Sequence, residues 1–534
     1  MKPNSSNNAG RKKNAESFIA TIIDADTSHQ NNLKWIIRKT KEFDFETVIT
    51  LFREIENYHC KKEFGKSFSR HTMNMPLLSG LFGGYMIEKT IVYAAGNKRV
   101  FLDYELYQTW DGISINDIYN RYNSFSAARE TSVLEPIATM MLSISSEQMR
   151  IQRNPMPDMR RFYLTFGNDS KSNTAFTMEY GVGLPVMLHL SFILYIYVFG
   201  IGDGNTGIKS YFTKDEFVNK INSKSGISSK DIDQFFNSIS IDREEYVKEY
   251  LNRRTNKNGT YYPYEEMELF DRAIPKVSYS YPLLRYKGGY FLPSLQSLQE
   301  FLKMDTFYRM LSNAGNNAKG LIVGPAIERY ARMLMNEYKQ TIPDENPDVY
   351  GDEEYYYNGK KHAPDAILET DSYLLFVECK ANPFNLGLLR DFDEETFEKL
   401  VKSVEISTEN INRYISLNSD RFGDKRVYKM LVYYEGLPDW YEMLNREVGF
   451  ASNKNDLILA DFNVLELLMQ QSDKRLPDII DSFMAVKIEK PEHTNFEKYL
   501  HEIDLSHKTP QIGKGFIYEI AERFGIVKET LLDS

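Results

Sequence analysis

The chain has 534 residues, of which 42% are hydrophobic and 26% charged, and its formal net charge is −10. This composition is ordinary for soluble globular domains and excludes a disordered or fibrous protein, while the length suffices for two to four domains. The acidic balance argues against a protein that coats nucleic acid through its overall charge, so any phosphate contact must come from local basic patches. Two cysteines, Cys60 and Cys379, exclude a disulfide scaffold and a cysteine-rich zinc site, and they suit a reducing cytoplasm.

The N-terminal part is predicted to be a disordered polar tail over residues 1–16 followed by a mainly helical domain over 17–205. Within it, residues 182–201 carry no charge and have about the length of a bilayer span, roughly 20 residues. Pro185 and His189 interrupt this apolar run. We therefore expect a buried core helix and no stable membrane association.

Residues 206–312 are predicted to hold a helix-turn-helix-like segment and a β-hairpin. Thr213 and Glu216 form a capping box for one short helix, and Ser228 or Ser229 caps the next. Two short helices across a glycine turn are typical of a helix-turn-helix, which binds DNA in some proteins. This signal is one of shape and not of a specific motif.

Changes in composition mark the remaining boundaries. The turn sequence at 287–289 predicts a β-hairpin across 276–293, and the Asn- and Gly-rich stretch at 313–320 predicts a linker. Beyond this linker we expect an α/β domain over 313–480 and a helical extension over 481–534.

The α/β domain begins with a predicted helix. Pro325 suits a first helical turn, and Glu328 lies at the edge of an apolar stripe. That stripe consists of Ile327, Tyr330, Leu334 and Tyr338. Three strand-like runs follow at 353–357, 361–370 and 373–381, the first two joined by the hairpin dipeptide Asn358-Gly359.

The second hairpin brings acidic residues together. If its tip is Asp371-Ser372, Asp365 lies directly opposite Glu378 on one face, with Cβ atoms about 5 Å apart. Lys380 shares that face because side chains alternate along a strand. The other residues of both strands are apolar, so these three side chains would lie in a poorly solvated part of the sheet.

Paired carboxylates in such a place repel each other, and a bound hard cation relieves the repulsion. We expect Mg²⁺ or Mn²⁺ at Asp365 and Glu378, with the Cys379 carbonyl as a third oxygen ligand. The cation would activate a water molecule, and Lys380 would stabilise charge that develops on a phosphate.

The sequence Pro364-Asp365, a hydrophobic run and then Glu378-Cys379-Lys380 resembles the motif of the PD-(D/E)xK nuclease superfamily. The resemblance covers about one domain. It implies a restriction-endonuclease-like fold, with a mixed sheet flanked by helices and a crossover helix at 397–417. It also implies that Asp365 and Glu378 bind metal, that Lys380 assists catalysis and that Glu328 completes the site from the preceding helix. Of the two E-x-K triplets in the chain, Glu378-Cys379-Lys380 is the one with strand context.

By this resemblance the protein is expected to be an endonuclease that hydrolyses DNA and leaves 5′-phosphate ends, with RNA as an open alternative substrate. Large N-terminal regions ahead of such a domain are similar to those of bacterial restriction and anti-phage effectors, so an antiviral defence role and a homo-oligomer or partner protein are expected through that region. The competing interpretation is a non-enzymatic nucleic-acid-binding or scaffold protein that keeps the fold.

Overall fold

The computed structural model describes residues 41, 44–46, 91–96, 155–167, 169–199, 209–219, 221, 227–253, 277–293, 297–298, 301–302, 322–351, 356–357, 360–361, 363–381, 394–434, 444–445, 448, 456–471, 476–489 and 495–503. The tail predicted at 1–16 and the linker predicted at 313–320 lie outside these residues.

The helices and strands of the described residues alternate along the chain. They are α1 (Pro155–Phe162), a π-helix (Tyr163–Gly167), α2 (Ser170–Tyr180), α3 (Leu184–Phe199), β1 (Tyr211–Phe212), α4 (Lys214–Val218), α5 (Ser229–Ile239), β2 (Ser240–Ile241), α6 (Arg243–Arg253), α7 (Val277–Ser280), β3 (Leu283–Tyr286), β4 (Gly289–Phe291), α8 (Gly324–Lys339), a 3-10 helix (Pro343–Glu345), β5 (Asp348–Tyr350), β6 (Tyr356–Tyr357), β7 (Lys360–Lys361), β8 (Ala366–Glu369), β9 (Tyr373–Lys380), α9 (Glu394–Leu417), α10 (Ser419–Phe422), β10 (Arg426–Tyr433), β11 (Leu457–Asp461), α11 (Phe462–Met469), α12 (Leu476–Glu489) and α13 (Phe496–Glu502).

The described residues fall into two compact units that interleave along the chain. The first takes its residues from the segments up to 153, 195–218 and 237–301, and the second takes them from 154–194, 219–236 and 302–534. The structure is therefore mixed α/β, as expected, but the units do not follow the continuous boundaries expected at 205, 312 and 480, because segments distant in sequence pack together.

In the first unit, the hairpin predicted around residue 288 is present. Strand β3 pairs with β4, and Tyr286 lies opposite Gly289. Lys287 and Gly288, between them, have φ angles of 47° and 78°, which are the positive values that a tight two-residue hairpin turn requires. The strands of this unit form a four-stranded sheet in the order β1-β4-β3-β2.

The hairpin is shorter than the predicted span 276–293, because Val277–Ser280 is a helical turn. Pro282 separates this turn from β3. Proline has no N–H to donate to a ladder, so strand pairing starts after it.

The predicted helix caps are confirmed. The Thr213 N–H donates to Glu216 Oε2 at 2.9 Å, and the Glu216 N–H donates to Thr213 Oγ1 at 3.3 Å. At the start of α5, the Asp231 N–H donates to Ser228 Oγ at 3.1 Å. Part of the turn between α4 and α5 lies outside the described residues, so the helix-turn-helix arrangement stays a prediction.

Helix α3 forms within the predicted apolar segment, and its polar side chains are buried with the apolar ones: His189 is 1% exposed and Ser191 2% exposed. The prediction of a core helix is confirmed for its described side chains. In the described part of the chain, no single helix is long and apolar enough to cross a membrane; Ser170–Tyr180 and Leu184–Tyr195, which meet at a 61° bend, pass the same test as a pair by length and composition only.

In the second unit, five of the described strands form a mixed sheet in the order β11-β10-β9-β8-β5. Strands β9, β10 and β11 are parallel, whereas β8 runs antiparallel to both β9 and β5. The long helix α9 connects β9 to β10 and acts as the crossover that parallel strands require. The predicted crossover helix, the parallel strand after it and the strand-helix pair near the C-terminal end are confirmed.

Two predictions about the strands are wrong. The run 361–370 is not one strand, because β7 ends at Lys361 and β8 begins at Ala366; Pro364 lies between them and cannot donate to a ladder. Strand β5 lies in what was interpreted as a polar stretch. It is short, lies at the edge of the sheet and exposes Asp348, so it lacks the alternation that marks a half-buried strand.

A buried charge network links three helices of this unit. Glu466 on α11 accepts hydrogen bonds from Arg160 NH2 at 2.7 Å and from Arg161 Nε at 2.6 Å, both on α1. The Tyr330 hydroxyl on α8 donates to the same carboxylate at 2.9 Å. Glu466 is fully buried and the two arginines are 3–4% exposed. This network fastens the segment around α1 to the helices that flank the sheet.

Candidate active site

The register predicted for the second hairpin is confirmed. Ala366 pairs with Val377, and Glu369 pairs with Leu374. Asp365 lies one residue before the first pair, so the same register continues to Glu378. The strand residues between these ends are almost completely buried, as the apolar character of both strands predicted.

Asp365 lies in a bend at the start of β8, and both of its polar ends are held. Its side-chain Oδ2 accepts a hydrogen bond from the Cys379 N–H at 2.7 Å, and its backbone carbonyl accepts one from Arg332 NH1 at 2.6 Å. Burial raises the pKa of Asp365 well above its usual value, and the charges of Glu378 and Glu328 raise it further. The carboxylate is thus held in a place that disfavours its negative charge.

Lys380 pairs with Glu378 two residues before it on the same strand. The Lys380 ammonium donates to Glu378 Oε1 at 3.0 Å, and the side chains are 28% and 13% exposed. Burial by itself lowers the pKa of Lys380, but the charge and hydrogen bond of Glu378 outweigh it, so the pKa lies above its usual value. Lys380 therefore keeps its positive charge at neutral pH.

The Cys379 backbone points toward Asp365. A strand residue directs its N–H and its C=O to the same side, so the Cys379 carbonyl faces the β8 side of β9, where its N–H meets Asp365. The neighbouring Lys380 carbonyl faces the other side and accepts from the Tyr434 N–H at 3.0 Å. Burial raises the pKa of the Cys379 thiol, so its sulfur stays a neutral thiol.

Glu328 lies half-buried on α8, whose predicted apolar stripe is fully buried. Its charge raises the pKa of both Asp365 and Cys379, which places it in the electrostatic neighbourhood of the site. Among the described residues, no three His, Cys, Asp or Glu side chains form a group that could hold a metal ion. Glu328 therefore acts on Asp365 and Glu378 electrostatically and does not form a three-carboxylate group with them.

Sequence reasoning missed two residues beside Asp365. Arg332 lies one turn after Glu328 on α8 and reaches the Asp365 carbonyl. A Cβ atom added at Gly351 would lie 2.4 Å from the Asp365 carbonyl oxygen, which is closer than real Cβ atoms approach. Only the four-residue spacing of Glu328 and Arg332 hints at a shared helix face, and that spacing is equally typical of a solvated ion pair.

No family model matches this sequence, and no curated protein matches it either.

Proposed function

We propose that this protein is a divalent-metal-dependent nuclease, and that Asp365, Glu378 and Lys380 form its active site. The observation that supports this most is the convergence of two carboxylates and a protonated lysine at the ends of two otherwise apolar strands. A buried, repelled pair of carboxylates is costly for a folded chain, and such groups concentrate where chemistry needs them.

The donor atoms fit a hard cation such as Mg²⁺ or Mn²⁺. Asp365 and Glu378 would hold it with carboxylate oxygens, and the Cys379 carbonyl faces the same side as Asp365. A cation there would offset the burial and repulsion that raise the pKa of Asp365. When bound, it would neutralise phosphate charge and lower the pKa of a bound water.

Lys380 would serve as a charge stabiliser. Because its pKa is raised by Glu378, it stays protonated and is a hydrogen-bond donor, not a base, at neutral pH. Its ammonium can donate to a phosphate oxygen as negative charge develops there. The Cys379 N–H fixes the orientation of the Asp365 carboxylate, which keeps the ligand in place before substrate arrives.

The substrate proposed is DNA. The test is incubation of the full chain with supercoiled plasmid, linear duplex, single-stranded DNA and RNA, each with Mg²⁺, Mn²⁺ or EDTA. Cleavage of DNA that EDTA abolishes supports the proposal, and cleavage confined to RNA would make the protein a ribonuclease. No cleavage of any substrate would favour the non-enzymatic interpretation.

Glu328 is expected to support metal binding without being essential. Its influence on Asp365 is electrostatic, which suits a contact made through water. Losses of outer ligands typically cost roughly 10–100-fold in affinity or activity. We therefore expect Glu328→Gln to need more Mg²⁺ for half-maximal cleavage and to recover its rate at high Mg²⁺.

Glu337→Gln, on the same helix, is the matched control and should keep the Mg²⁺ dependence of the wild type. If Glu328→Gln shows the wild-type Mg²⁺ curve as well, Glu328 takes no part in the site.

A further inference from the structure

The backbone at Asp365 is not held by the strand ladder. Pairing between β8 and β9 begins at Ala366, one residue later. The residue before it is Pro364, which has no N–H to donate. Other contacts must therefore fix the position of Asp365.

Arg332 supplies one such contact from α8. Its NH1 atom donates to the Asp365 carbonyl oxygen at 2.6 Å, so the helix holds the backbone of the bend. The Cys379 N–H holds the other end of the residue through Oδ2 at 2.7 Å. With backbone and side chain both tied, the carboxylate of Asp365 has little freedom to turn.

Gly351 makes the contact with Arg332 possible. It follows β5 directly, and its neighbour Tyr350 pairs with Ile367. A Cβ atom at Gly351 would lie 2.4 Å from the Asp365 carbonyl oxygen and 2.9 Å from Arg332 NH1. Any side chain at this position would push the guanidinium and the carbonyl apart.

We propose that Arg332 and Gly351 form a clamp on the Asp365 backbone that positions its carboxylate for cation binding. This inference rests on the proposed metal-dependent function. Arg332 is a positioning residue here, because its observed contact is with the ligand-bearing backbone. Fixing a ligand before the cation arrives raises affinity, since less conformational freedom is lost on binding.

The test uses the full-length chain and measures Mn²⁺ affinity by electron paramagnetic resonance, together with the rise in melting temperature that Mn²⁺ causes. In Arg332→Met we expect the Kd for Mn²⁺ to rise about 10–100-fold. Arg332→Lys keeps a donor and should fall between this variant and the wild type. Gly351→Ala retains the arginine and should weaken Mn²⁺ binding as Arg332→Met does.

Arg329→Met is the matched control. Arg329 is on the same helix, is 44% exposed and pairs with Asp169 at 3.1 Å, away from the Asp365 backbone. It should bind Mn²⁺ as the wild type does. A general loss of helix stability would lower the melting temperature without Mn²⁺ in both arginine variants and leave the Kd alone.

The failures are distinguishable. If Glu378→Gln weakens Mn²⁺ binding but Arg332→Met and Arg332→Lys bind like the wild type, the clamp is wrong and the proposed metal site stands. If the wild type binds no Mn²⁺, or binds it equally after Glu378→Gln, both proposals are overturned.

Discussion

Asp365→Asn, Glu378→Gln and Lys380→Met should each lower the rate of phosphodiester cleavage by at least about 100-fold. The first two substitutions remove the charges that would hold the cation, and the third removes the charge beside the phosphate. Each replacement is close in size to the residue it replaces. Melting temperatures should therefore stay near that of the wild type.

Asp365→Asn should even stabilise the fold, because it removes a buried charge that Glu378 and Glu328 repel. Asp371→Asn is the matched control: it lies at the opposite end of the same hairpin, where Asp371 accepts from Asn346 Nδ2 at 2.8 Å. It should cleave at the wild-type rate. Wild-type rates in two of the three site variants would end the assignment of this site.

Glu466→Ala should lower the free energy of unfolding by about 3–5 kcal/mol. The substitution leaves Arg160 and Arg161 buried without their shared carboxylate, and it also removes the acceptor of the Tyr330 hydroxyl. An uncompensated buried charge is far more costly than a lost pair at the surface. Urea unfolding followed by circular dichroism measures the change.

Asp348→Ala is the control, since Asp348 pairs with Lys339 at 3.3 Å and is 67% exposed. It should cost no more than about 1 kcal/mol. An equal cost for the two variants would mean that the buried network contributes no more than a solvated pair.

The same network predicts a pH dependence. Burial disfavours the Glu466 carboxylate, but Arg161 and Arg160 outweigh burial and hold the pKa of Glu466 below its usual value. The stabilisation from its charge is therefore complete above the unfolded pKa of about 4.3 and is lost as the pH falls through the folded pKa. The difference in unfolding free energy between wild type and Glu466→Gln should narrow below about pH 4.

Local patterns in the sequence predicted a large part of the second unit. The stripe from Ile327 to Tyr338 predicted α8, and the Asp371-Ser372 tip predicted the register that brings Asp365 to Glu378. Both depend on residues close in sequence, whose spacing follows from helix and strand geometry. The Glu378–Lys380 pair follows from the same alternation.

Contacts between distant segments could not be predicted in this way. Nothing in the spacing of Arg160 and Arg161 indicates that Glu466 would meet them, because the contact spans three helices from distant parts of the chain. The approach of Gly351 to Asp365 depends on β5, a short edge strand without a readable pattern. The interleaving of the two units has the same cause, since it arises from tertiary packing.

The most direct measurement of the proposed site is anomalous diffraction from crystals of the full chain grown with Mn²⁺. We expect an anomalous peak between Asp365 and Glu378, about 2.0–2.2 Å from a carboxylate oxygen of each, with Lys380 turned away from Glu378. Crystals that diffract with Mn²⁺ present, no peak at this position and the Lys380–Glu378 pair intact would contradict the metal-dependent site.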